Sequence, residues 1–269
     1  MADAEHEDQW AVVATADHDA FRHGVLGPYR LGPTLRRTAF GEVLIAVHER
    51  QSRLVELDIL DALAQTRLAA PGDNVMSDLA HVVGLEHRHI ATVVGSGMHD
   101  NVPYVVRQHR LGRTLAQLID RAATLCAHAA AGVAFAVAEA CAFLSTQGPA
   151  PGSCSMGGFD ARDVLLGYDG TISLVGIGLQ RARGNDEPPA VADVQSCFGL
   201  IRQLDAASNA GLSSAAASAS TAADLARILS RCFSDACAAR RRHVGTALRR
   251  HFSDEIQHDR ALFGLKPLQ

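Results

Sequence analysis

One lysine occurs in the 269 residues of this chain, Lys266, three residues from its end. Chemistry that needs an ammonium side chain is therefore excluded from the body of the sequence, where 24 arginines carry the positive charge. Aromatic residues are also scarce, at 5% with a single Trp, so a core must be built from Leu, Val and Ala. A formal charge of −4 lacks the basic excess of a general nucleic-acid or membrane-surface binder. The six cysteines (Cys126, Cys141, Cys154, Cys197, Cys232 and Cys237) form no C-x-x-C pair. They read as small hydrophobes in a reducing compartment. His81, His87 and His89, or Cys126 with His128, match no zinc spacing, so no metal is expected. The longest apolar run, the 16 residues Ala129–Leu144, includes Glu139 and reads as a buried core helix rather than a membrane span. The opening M-A-D-A-E-H-E-D is acidic, unlike a secretory signal. These absences lead to the expectation of a cytoplasmic protein with neither a nucleic-acid nor a membrane partner.

What is present is a clear succession of patterns. After a polar stretch with an apolar patch at Trp10, Val12, Val13 and Phe21, alternation predicts strands at Leu31–Leu35, Val43–Val47 and Leu54–Ile59. Asp73-Asn74 can cap a helix carrying Val75, Leu79 and Val82, closed by Gly84. Strands around Ile90–Gly95 and Val102–Val106 complete a five-stranded sheet with one helix. Beyond Gly112 the chain turns helical, at Thr114–Arg121 and Ala127–Gln147, with a hairpin turning at Asp169-Gly170. Helices at Val194–Ala206, Ala222–Cys232 and Val244–Phe252 follow. The Ser/Ala-rich tract Ser208–Thr221 reads as a flexible loop, and Ser253–Gln269 as a tail. The arginines at 240–242 and 249–250 read as a solvated helix face.

Several phrases occur in an order that resembles bacterial Ser/Thr protein kinases. Phe40-Gly41-x-Val43 is similar to the end of the glycine-rich loop, and Leu85-Glu-His-Arg-His-Ile90 to the phrase after the αC helix. Val102-Pro-Tyr-Val-Val106 resembles the strand entering the hinge, and Leu111-Gly-Arg-Thr-Leu115 the start of the large lobe. Asp163-Val-Leu-Leu166, Gly170–Leu174 and Asp193–Gly199 resemble the end of the catalytic loop, the strand before D-F-G, and the αF helix. The resemblance implies an α+β, two-lobed fold: an extension (1–27), a small lobe (28–109), a large helical lobe (110–252) and a tail (253–269).

The same resemblance implies that the positions carrying kinase chemistry are changed. The first two glycines of the phosphate loop fall on Arg36 and Thr38, leaving Gly41 ahead of Val43. The strand lysine falls on Asp58, and the small residue over the adenine on Glu56. Residues two apart on a strand share a face, so both carboxylates should enter the cleft. At ~5 Å and an effective dielectric of ~20, each such charge facing a phosphate costs about 3 kcal/mol. The αC glutamate falls on Asp78, the catalytic aspartate on Gly158, the metal-holding asparagine on Asp163 and the D-F-G aspartate on Gly176. Only 14 residues separate Gly178 from Asp193, so the activation segment is shortened. Arg107 falls on the gatekeeper and is expected to pair with Asp58 and Asp78, the alternative being a guanidinium reaching solvent.

The function implied is that of a pseudokinase, a protein-binding scaffold or allosteric regulator with no cofactor. Its partner would be an active kinase or another signalling protein. Two alternatives stand beside it. One is a switch that binds ATP without metal and without phosphotransfer. The other is an enzyme of altered chemistry using Asp160, Asp163 and Arg36 or Arg37.

Overall fold

The computed structural model describes residues 24–38, 41–51, 53–61, 75–100, 102–121, 125–148, 154–179 and 187–262, with backbone alone at 75–78 and 236–238. The readings made for residues 1–23 and 263–269, Lys266 included, lie outside them.

Six strands form the first sheet: β1 Val25–Leu26, β2 Tyr29–Thr38, β3 Gly41–His48, β4 Arg53–Leu60, β5 Val93–His99 and β6 Val102–Gln108. Their spatial order is β1-β2-β3-β4-β6-β5, each pair antiparallel. The period-2 pattern fixes the faces. Ala46, Val55, Leu57, Tyr104 and Val106 cluster on the outer face. Leu60, Val93 and Val105 turn inward and join the main core with Leu79 and Val82 of α1, Val75–Val82. Two differences from the sequence expectation stand out. The two-residue β1 adds a sixth strand at the edge. The strand expected at Ile90–Gly95 runs instead to His99, because β5 pairs with β6 through a tight turn at Asp100, with φ 49° and His99 opposite Val102. Ile90 bridges to Leu174, and the Ala91 N–H donates to the Leu174 carbonyl at 2.9 Å, tying the two lobes together.

The second sheet is small, in the order β7 Gly112–Thr114, β8 Val164–Gly167 and β9 Ile172–Leu174. Helices form the rest: α2 Leu115–Asp120, α3 Ala127–Leu144, α4 Pro189–Ser208, α5 Leu212–Ala216, α6 Ala222–Cys232, α7 Ser234–His251 and α8 Ser253–Leu262. Thr114 and Gln117 form a reciprocal capping box that starts α2. α3 is buried nearly all round, and its alanines let α4, α6 and α7 approach closely.

The stretch expected as a flexible loop contains α5. Its Leu212 and Ala216 are fully buried, and the Asp205 carboxylate caps it by accepting from the N–H groups of Leu212 (2.7 Å) and Ser213 (2.6 Å). Low-complexity composition hid two anchoring positions. α7 begins ten residues before the expected Val244, and the described side chains of its first half include two arginines with partners remote in sequence. Arg241 pairs with Asp169 at 2.9 Å, and Arg240 donates to His89 Nε2 at 3.2 Å. The start of the expected tail is α8, anchored by the buried Ile256.

If α5 is a packed element, Leu212→Ala will cost about 3 kcal/mol in denaturant unfolding. The exposed Ser218→Ala will stay within ~0.5 kcal/mol. A disordered loop would leave both variants at wild-type stability.

Candidate functional site

β4 lies between β3 and β6, so side chains on its inner face are covered from both sides. Glu56 and Asp58 project there and are 2% and 5% exposed. Two buried carboxylates on one face are sustainable only with cations beside them. β6 brings the first: Arg107 stands opposite Glu56 in the register and is 1% exposed. Its guanidinium pairs with Asp58, diagonally across the ladder, and donates to the Ile177 carbonyl at 3.3 Å. β2 brings the second: Arg36 Nη2 lies 2.6 Å from Glu56 Oε2. His109, two residues beyond Arg107 on the same side of the chain, places Nδ1 3.1 Å from Glu56 Oε1. A carboxylate can only accept, so this nitrogen carries the proton. Burial alone would raise the Glu56 pKa. The Arg36 charge and the His109 hydrogen bond outweigh it and hold the carboxyl well below the usual range.

The other cleft positions complete this inner face. Val43 is fully buried and lies opposite Asp58. Thr38 Oγ1 donates to the Gly41 carbonyl at 3.4 Å. A Cβ on Gly41 would meet the Ile59 carbonyl oxygen at 2.0 Å, so glycine here serves sheet packing. Asp78 lies on α1, and its side chain is outside those described. Of the expected Arg107 cluster, the Asp58 arm is therefore what the described side chains contain. The reading in which Arg107 reaches solvent is excluded by its burial.

In the larger lobe, the loop carrying Gly158 is held by its backbone. Asp193, on α4 and 2% exposed, accepts from the N–H groups of Met156 and Gly158, each at 2.9 Å. Gly158 has φ 94° and Gly176 φ 85°. Both lie in the left-handed region, where an aspartate side chain costs roughly 1–2 kcal/mol. Asp163 is 9% exposed and accepts from the Asp160 N–H at 3.1 Å, closing the 3₁₀ turn Ala161–Asp163. Asp160 accepts from the Arg162 N–H at 2.7 Å and pairs with its guanidinium at 2.5 Å. The acids of the altered-chemistry alternative are thus engaged in building their own loop.

A cavity of about 560 Å³ opens between β2, the linker 109–113 and α8. Arg36 and Glu56 line it beside Leu35 of β2 and Leu165 of β8, and α8 contributes Glu255, Asp259 and Leu262. α8 is clamped in place by Arg113–Asp259 at 2.6 Å, by the Tyr168 hydroxyl donating to Asp259 at 2.6 Å, and by Arg121, which pairs with Glu255 and lies over Phe252. Sequence reasoning overlooked His109 and the α8 acids. The i, i+2 relation of Arg107 and His109 was a usable signal for the first. Nothing local marked the second, because their partners lie 134 and 146 residues away.

Arg107→Met and Asp58→Ala should each destabilise the fold by about 3–5 kcal/mol, since each strands a buried charge. The double variant should cost clearly less than the sum, and additive chemical-denaturation energies would refute the coupling. Glu56 ionises in the folded state far below its unfolded value near ~4.3, so its contribution is full above that value and lost as pH falls below it. Glu56→Gln should therefore flatten the acid limb of the stability curve between about pH 5 and pH 3.

No protein-family model matches the chain, and no curated protein does. Solved structures do. The kinase domain of Mycobacterium tuberculosis PknI matches with a TM-score of 0.59 at 19% identity, over 77% of this chain and 97% of that one. A mutant of that domain gives 0.59 and 19% over 79% and 97%. A further PknI kinase-domain structure gives 0.57 and 18% over 86% and 98%. Curled antiparallel sheet, linker and helical lobe together form the two-lobed fold of a bacterial Ser/Thr protein kinase domain.

Proposed function

We propose that this kinase-fold domain does not transfer phosphate and serves as a protein-binding scaffold or allosteric regulator, with an active kinase or another signalling protein as partner. The observation that carries the reading is the pair of internal ion networks, Asp58–Arg107 and Arg36–Glu56–His109, on the inner face of β4 at the inner end of the cleft. In kinases that end takes the nucleotide's phosphates and the lysine that holds them. Here its charges are already mutually satisfied and buried. A triphosphate would have to break pairs whose separation leaves uncompensated charge, at about 3–5 kcal/mol each. That is comparable to the whole free energy of a millimolar ligand, roughly 4 kcal/mol.

A second reading, an ATP-responsive switch without phosphotransfer, is favoured by one observation: the cavity beside the linker reaches Glu56 and Arg36. A radiolabelled phosphotransfer assay with Mg²⁺ and Mn²⁺, on generic protein substrates and on the chain itself, should give no turnover above background. Turnover abolished by Asp163→Ala would overturn the proposal. Gly176→Asp should lower stability by about 1–2 kcal/mol without producing activity.

A further inference from the structure

α7 presents to solvent a row of arginines that the described fold does not neutralise. Arg242, Thr246, Arg249 and Arg250 recur at helical spacing, so they share one face, and all four are exposed. Two neighbouring arginines are used within the fold: Arg240 reaches His89, and Arg241 pairs with Asp169. Among the described residues no carboxylate pairs with Arg242, Arg249 or Arg250, and Arg249 donates to the Thr246 hydroxyl at 3.5 Å. His243, beside this face, is held below the ordinary imidazole pKa by burial, by His128 and by the Arg242 charge.

The charge that would cancel this field is in the sequence. Residues 1–23 carry six carboxylates, Asp3, Glu5, Glu7, Asp8, Asp17 and Asp19, against one guanidinium, Arg22. The rest of the chain holds 23 acidic and 24 basic side chains, so this segment carries the whole negative excess. It joins the described fold at Gly24, ahead of β1. The 15 residues between Asp8 and Gly24 span ~50 Å when extended, against a radius of gyration of about 18 Å for a chain of this length.

We propose that residues 1–23 dock in cis along the arginine face of α7, the acids from Asp3 to Asp8 lying against Arg242, Arg249 and Arg250. The inference goes beyond the scaffold reading, because it assigns a surface and its occupant. Exposed ion pairs are individually weak and are screened by salt. Tethering offsets that weakness, since a flexible linker supplies an effective concentration of about 1 mM. The consequence is a basic surface closed to other anions while the segment is docked.

Trp10, the one tryptophan of the chain, stands two residues past Asp8 and reports on this segment alone. Its anisotropy and its quenching by acrylamide would be read on the full chain at about 0.01 M and 1 M salt, where the Debye length is ~30 Å and ~3 Å. Trp10 should be protected at low salt, and its quenching should rise about twofold at high salt. The triple variant Arg242→Glu, Arg249→Glu, Arg250→Glu should show the high-salt value under both conditions. Asp3→Asn, Glu5→Gln, Glu7→Gln and Asp8→Asn together should do the same while leaving the folded body untouched, so the test stands if the triple variant unfolds. Arg202→Glu, at an exposed position on α4, should keep wild-type protection. Adding Asp3→Lys, Glu5→Lys, Glu7→Lys and Asp8→Lys to the triple variant should restore protection. Equal quenching of wild type and triple variant at low salt would overturn the proposal. So would protection that survives 1 M salt, protection lost equally with Arg202→Glu, or protection that grows with protein concentration and so places the segment on a second copy.

Discussion

Two carboxylates on the inner face of the central strand constrain most of what surrounds them. An ionised side chain inside a protein is tolerable only when its field is cancelled within hydrogen-bonding distance. Glu56 and Asp58 therefore dictate a guanidinium on β6, a second on β2 and a protonated imidazole nitrogen at the end of β6. The two guanidinium groups belong to different strands, and the register brings them together: Arg107 faces Glu56 directly, and Arg36 and Asp58 flank the same residue, Val43. The inner face is consequently polar in composition yet close to neutral in net charge. From sequence alone the two acids read as a source of repulsion. In the folded chain that repulsion is cancelled locally by Arg107, Arg36 and His109.

The large lobe keeps its loop geometry by other means. Asp193 gathers two backbone N–H groups, and Ser196 a third from Phe159 at 2.9 Å. A loop secured through its main chain places no demand on which side chains it displays. That is why glycines can stand at 157 and 158, and why the path there has settled into the left-handed region. The same logic holds at Gly178, where a Cβ would meet Leu79 and Val82 at 2.8 Å, so the turn after β9 packs directly beneath α1.

Much of this fold was legible in the sequence. Where local pattern carried the information, as in β3, β4, β6, α3 and α6, the expected elements lie within a few residues of the observed ones. Glu56, Asp58 and Arg107 could be placed together because period-2 alternation decides which way a strand residue points. Where stability comes from a few buried positions within bland composition, local pattern gave no warning: Leu212 and Ala216 in a Ser/Ala tract, Ile256 in a charged segment. α7 was legible only in its second half, because its first half is held by Arg240 and Arg241, whose partners are remote in sequence. The cavity was invisible for the same reason, since it is assembled from segments more than 200 residues apart.

Arg107 reaches past its own sheet to the Ile177 carbonyl, in the segment that follows β9. The contact joins an element of the upper lobe to one of the lower through an internal cation. In a two-lobed body the relative posture of the halves is commonly a property of what lies between them. Here part of that filling is encoded in the polypeptide. One link between the lobes is thus supplied by a side chain of the chain itself, present wherever the polypeptide is folded.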